Sequence, residues 1–224
     1  MIFDILDTWK FVHFFDKEHK TDPNIIKDIM YKAWKTTPSK NSFMPYTVHV
    51  IGPEDWELKK KVYDTSEAKE RKSNTRNENK ERWQVNTNKA SLCTAEYVLV
   101  FCPRAEDKPS PWQQRLHDGG CYMDAWYENA LEKYKPTILV EVGLFAQNVT
   151  TFCLEQGLHT NYISSFERDL KYWTDLPFIK HPPCLLMGIG KAKWFRRQSL
   201  EQIGWSEKDY KPDFDRIVEF HGIK

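Results

Sequence analysis

Residues 97–102 read Tyr-Val-Leu-Val-Phe-Cys, and Pro103 closes the run. A strand with no polar position along its length has no face to offer to water. It must lie at the centre of a sheet and be buried on both faces. The rest of the chain has to supply that burial.

At 224 residues the chain is large for one domain and short for two, so residues 1–224 are read as a single domain. Hydrophobic residues are a lean 40%, but aromatic ones reach 14%, and large rings bury much area per residue. Disorder throughout is thereby excluded. Lys+Arg 33 against Asp+Glu 32 gives no general field for nucleic acid or an acidic membrane. No apolar run approaches the ~18 residues of a membrane span, so no membrane partner is expected. Met1-Ile2-Phe3 is followed by Asp4 and Asp7, unlike the basic start of an export signal. Cys93, Cys102, Cys121, Cys153 and Cys184 are odd in number and form no C-x-x-C pair. They read as free thiols in a cytoplasmic protein, with Cys102 and Cys184 as small buried hydrophobes.

Asp22-Pro23 marks a helix start, with Asp22 as N-cap and Pro23 at the first helical position. Ile25, Ile26, Ile29, Met30, Ala33 and Trp34 then recur at helical spacing, predicting one buried stripe before Pro38 stops the helix. Tyr46–Ile51 reads as a strand, and Pro53-Glu54-Asp55 opens a second helix. A long helix is predicted over 137–156, with Gly157 ending it in a left-handed conformation. Short strands are expected over 159–164 and 183–190, a short helix over 166–173, and a last β-like stretch over 213–220. Helices and strands alternate irregularly, which makes the class α+β or mixed α/β.

Two polar segments stand out. Residues 66–90 are dense in charge and read as a solvated helix, a mobile excursion or an active-site lid. Residues 104–120 read as loop. No dinucleotide or nucleoside-triphosphate glycine loop occurs, and Gly188-Ile189-Gly190-Lys191 is a strand end. Lys191, Lys193, Arg196 and Arg197, with Trp194 and Phe195 between them, could grip phosphate or RNA or simply form a solvated face. Nothing shows metal-ligand spacing or a Ser/His/Asp set.

Three segments taken in order say more. Pro38-Ser39-Lys40-Asn41-Ser42-Phe43-Met44-Pro45-Tyr46 resembles the Pro-Ser-x-x-Asn-x-Gln-Pro-Trp segment of the FMN-dependent nitroreductase family. Residues 95–102 resemble that family's central strand. Glu141-Val142-Gly143 through Gly157-Leu158 and on to Ser164-Ser165-Phe166 resembles its long core helix and the turn beneath the flavin.

The resemblance implies an α+β, three-layer fold with a mostly antiparallel sheet, assembled as a homodimer through the long helix. Residues 66–90 and 104–120 would shape the substrate entrance. It implies FMN as cofactor, NAD(P)H as electron donor, and a small-molecule acceptor such as a nitro compound or quinone. A flavin needs a phosphate grip, a platform and donors near its ring edge. The corresponding positions here are Lys10 for phosphate, with His13 in the same N-terminal run. Near the C-terminus the phosphate would meet a basic residue among Lys208, Lys211, Arg196 and Arg197, which spacing does not separate and of which Lys211 is named for the role. Pro38, Ser39, Lys40, Asn41 and Ser42 would follow the ribityl chain and ring edge, Asn88 the pyrimidine side, and Ser164 and Ser165 the ring N5. The family's Arg-x-Ser-x-Arg/Lys run is Lys10-Phe11-Val12-His13-Phe14 here, so the bidentate arginine is absent. No side chain is assigned a catalytic role. The alternative is a protein that keeps the fold, with or without flavin, and lacks turnover.

Overall fold

The computed structural model describes residues 12–39, 42–74, 87–104, 111–120, 135–166, 168–195, 216–218 and 221. Among these residues six strands make two sheets. Strands β2 (Tyr46–Ile51), β3 (Tyr97–Pro103), β4 (His159–Ile163) and β5 (Leu185–Gly190) form a four-stranded sheet in the order β2-β3-β5-β4. Every pairing in it is antiparallel. Strands β1 (Val12–Phe15) and β6 (Ala192–Phe195) form a separate antiparallel ribbon.

The apolar run in β3 does what its composition requires. Tyr97, Leu99 and Phe101 join one core, while Val98, Val100 and Cys102 join another on the opposite face. Alternate side chains point to opposite sides of a strand, so one strand serves two cores. The first core receives helices α1 (Pro23–Thr36) and α5 (Lys135–Glu155). The second receives Val62 of α2 (Trp56–Asn74), Leu92 of α3 (Thr87–Thr94), β1 and the segment around Trp173.

Helix α1 has the expected cap: Asp22 Oδ1 accepts the Asn24 N–H at 2.9 Å, with Pro23 at the first position. Ile26, Ile29 and Ala33 are buried, but Trp34 is 54% exposed. Ala33 takes the inward position, and the next residue lies about 100° further round the helix. Trp34 instead lies beside exposed Tyr31, ring centres 5.6 Å apart. Helix α5 ends at Gly157, whose φ of +67° lets the Leu158 N–H reach Cys153 O at 2.8 Å. By length and mean hydropathy (1.4) α5 could span a membrane, although no run of its sequence had suggested one; half of that stretch is buried within the fold.

Several expectations need correction. Residues 104–120 are not all loop: α4 (Pro111–Asp118) starts on a proline and carries a Gln114–Asp118 side-chain bond of 2.7 Å one turn apart. The second helix begins at Trp56, where Asp55 Oδ1 accepts the Leu58 N–H at 3.0 Å. The helix expected over 166–173 is one 3-10 turn, Leu170–Tyr172. Of 213–220 only 216–218 are described, and they are not strand. The ribbon strands β1 and β6 had no sequence signal. The glycines of β5 are explained by packing. A Cβ on Gly188 or on Gly190 would lie 3.1 Å from the Phe15 ring, closer than ordinary packing, so bare backbone at both positions lets Phe15 pack without shifting.

Candidate functional site

The strand register gathers the segments singled out in the sequence at one end of the sheet. Tyr46 pairs with Pro103, Phe101 with Leu185, and Leu186 with Ile163. The loop that leads into β2, Arg104 after β3, Cys184 before β5 and Ser164-Ser165 after β4 therefore share that end. With the order β2-β3-β5-β4, the two predicted segments flank it from opposite edges. They are three strand steps of ~4.8 Å apart.

The loop between α1 and β2 is held in an uncommon shape. Ser42 and Met44 have φ of 55° and 45°, a region where side chains other than glycine are strained by roughly 1 kcal/mol or more each. Ser39 organises the turn: its Oγ donates to Glu141 Oε2 at 2.7 Å and accepts the Met44 N–H at 2.7 Å. The Ser42 N–H returns to Ser39 O at 3.1 Å. From β3, Arg104 Nη2 donates to Phe43 O at 3.0 Å and Met44 O at 2.9 Å. Asn148 of α5 fixes the helix end through Thr37 Oγ1 at 2.9 Å. The strain persists because α5 and β3 hold the loop from two directions.

The electrostatics follow from burial. Glu141 is 4% exposed, a carboxylate set in the apolar stripe of α5. Tyr46 is buried, and its hydroxyl has no hydrogen-bond partner among the described residues. Burial pushes that phenol well above its ordinary range, and Glu141 adds to the shift while Arg104 opposes it. Arg104 is itself lowered by burial, with Tyr46 raising it. At the far edge, hydroxyls fasten β4 to α5: Thr150 Oγ1 lies 2.9 Å from Thr160 Oγ1, and Tyr162 donates to Ala146 O at 3.0 Å. Beyond β4, Ser164 and Ser165 are exposed, as is Ser42 on the near edge. Such a site can bind and orient a ligand. Among the described residues no group of three His, Cys, Asp or Glu side chains is placed to hold a metal ion.

The structure thus brings together Pro38, Ser39, Ser42, Ser164 and Ser165 at one sheet end. Lys10, Lys40, Asn41 and Lys211 lie outside the described residues, as do the side chains of His13 and Asn88. The backbone of His13 runs in β1. Val12, at the family's serine position, is fully buried in the second core. Sequence reasoning assigned no role to Glu141, Arg104 or Tyr46. Glu141 left a signal, because an acid between Ile138 and Phe145 interrupts an otherwise apolar helix face.

Comparison with solved structures fixes the fold. The chain is similar to a candidate NAD(P)H:FMN oxidoreductase from Staphylococcus epidermidis, with 18% identity and a TM-score of 0.66 over 99% of this chain and 96% of that one. It is similar to a candidate nitroreductase in complex with FMN from Exiguobacterium sibiricum, with 15% identity and a TM-score of 0.65 over 99% and 97%. A nitroreductase family protein from Streptococcus pneumoniae aligns at 14% identity with a TM-score of 0.62 over 99% and 100%. No protein-family model and no curated protein matches the sequence. The architecture, α+β with antiparallel sheets, is that of nitroreductases.

Proposed function

We propose that this chain is an FMN-dependent oxidoreductase of the nitroreductase type, cytoplasmic and homodimeric. It would take electrons from NADH or NADPH and pass them to a small electron-poor acceptor such as a nitro compound or quinone. The observation that carries the reading is the strained backbone at Ser42 and Met44, held by Ser39, Glu141 and Arg104 at the sheet end shared with Ser164 and Ser165. Strain retained at two residues that are not glycine, beside a buried tyrosine hydroxyl without a partner among the described residues, fits a surface shaped for a ligand.

The described residues fit the ring end of FMN. Ser39 and Ser42 would follow the ribityl chain and ring edge, and the backbone N–H groups of Ser164 and Ser165 would face N5. Lys10 and Lys211 would meet the phosphate, Lys40 the ribityl chain and ring edge, and Asn88 the pyrimidine side. When bound, FMN supplies a ring that can accept hydride and release electrons. The work left to the protein is to orient donor and acceptor and to keep the ring edge hydrogen-bonded; no side-chain acid or base is assigned.

Support for the homodimer comes from α5. Leu139, Val140 and Leu144 are 39%, 63% and 42% exposed, and they surround Gly143. A Cβ there would meet nothing within 4 Å in this chain. A mid-helix glycine costs about 1 kcal/mol against alanine, so an unexplained one on an apolar face fits close approach by a second backbone. Light scattering should give the mass of two chains; the mass of one at micromolar concentration would refute the dimer.

The test of function is optical. Protein purified with FMN should show the flavin band in the visible, lose it anaerobically with NADH or NADPH, and regain it when a nitro or quinone acceptor is added. A protein that takes up no FMN sinks the proposal. Uptake of FMN without reduction would favour the fold without turnover, the reading suggested by a buried Val12 in the phosphate-binding run.

A further inference from the structure

The opposite end of the sheet, where β3 begins at Tyr97, carries a cavity. It measures about 150 Å³ and lies between the 16–20 segment, the start of α2 and the turn after α3. Lys59 lines it and is only 6% exposed. Its Nζ donates to two neutral carbonyls, Ala95 O at 3.2 Å and Glu96 O at 3.3 Å. Among the described residues no carboxylate forms an ion pair with it. The buried carboxylate beside the cavity, Glu96, is engaged elsewhere, accepting the Thr21 N–H at 2.6 Å and the Thr21 hydroxyl at 2.7 Å.

A buried ammonium whose direct partners are neutral carbonyls is expensive to keep, even with the Glu96 charge nearby. Here more positive charge is added: exposed Lys17 and Lys20 line the same cavity, with half-buried His19 between them in sequence. Asp16 is the other acid in the lining, and its Oδ1 accepts the Glu18 N–H at 3.1 Å.

We propose that this cavity binds a small oxyanion of phosphate type, with Lys59 Nζ at its floor and Lys17 and Lys20 at its rim. The anion adds to the opposing charge that Glu96 supplies to Lys59 only in part. Burial, then the Lys20 charge, lowers the lysine's pKa, and Glu96 opposes the shift. The space is ample for a tetrahedral oxyanion. The site lies away from the proposed flavin end and does not depend on it.

Isothermal titration of the full chain with inorganic phosphate at low ionic strength tests this. One phosphate per chain is expected, weakened at least tenfold in the K17Q/K20Q double variant and lost in Lys59→Met. If Lys59→Met fails to fold, the double variant, altered only at exposed positions, decides alone. Absence of binding by the unaltered protein, or equal binding by K17Q/K20Q, would overturn the proposal. A protein that takes up no FMN but binds phosphate in this pattern sinks the flavin reading and leaves this one standing.

Discussion

Helix α1 is held at each end by a buried glutamate, and the two do opposite things. Ahead of it, Glu96 is 7% exposed and receives both donors of Thr21, immediately before the N-cap. Behind it, Glu141 is 4% exposed and receives the Ser39 hydroxyl. Both described residues other than glycine with positive φ, Ser42 and Met44, lie at the Glu141 end. A buried carboxylate that meets relaxed backbone contributes stability. One that meets strained backbone holds a shape, and holding a shape against its own cost points to use by a ligand.

The largest test of that contrast is Glu96→Ala. Hydrogen bonds to charged groups contribute roughly 1.5–3 kcal/mol each, so losing two should cost about 3 kcal/mol in urea unfolding, with FMN affinity per folded molecule unchanged. A loss under about 1 kcal/mol would remove Glu96 as an anchor. Glu141→Gln should cost less stability, about 1 kcal/mol, because the amide keeps an acceptor for Ser39. Fluorescence titration should show FMN binding weakened about tenfold, equivalent to ~1.4 kcal/mol. Equal stability losses at both ends with intact FMN binding would erase the distinction. The smallest effect is expected from Ser42→Gly. Glycine accepts the positive φ without strain, so the unfolding midpoint should rise by the equivalent of about 0.5–1 kcal/mol. A lower midpoint would mean that the turn is not strained at Ser42.

What the sequence disclosed divides along the same line. Helix α1 was legible because its cap is local chemistry, Asp22 and Pro23 within one turn. Strand β3 was legible because two buried faces leave no room for polar residues. The Ser39–Glu141 bond spans 102 positions, and nothing in the serine's neighbourhood names its partner. Positive φ at Ser42 and Met44 was hidden because neither is glycine. Trp34 was misplaced because the apolar stripe is wide enough to include a ring that ends up outside. Helix α4 was hidden by the proline that helps to start it.

The ribbon of β1 and β6 has a consequence in time. Val12 pairs with Phe195, so the ribbon closes a loop containing most of the chain. Contacts of such long separation bear a large closure entropy and tend to form after local ones. The ring of Phe15, 1% exposed against Gly188 and Gly190, would then lock into place only after the four-stranded sheet has assembled. Late-forming contacts govern how fast a protein comes apart more than how fast it forms. Phe15→Leu should therefore speed unfolding in stopped-flow denaturant jumps and leave the refolding rate nearly unchanged; equal changes in both rates would place the ribbon in the folding nucleus. On this ordering the ribbon is a latch, shut last and opened first.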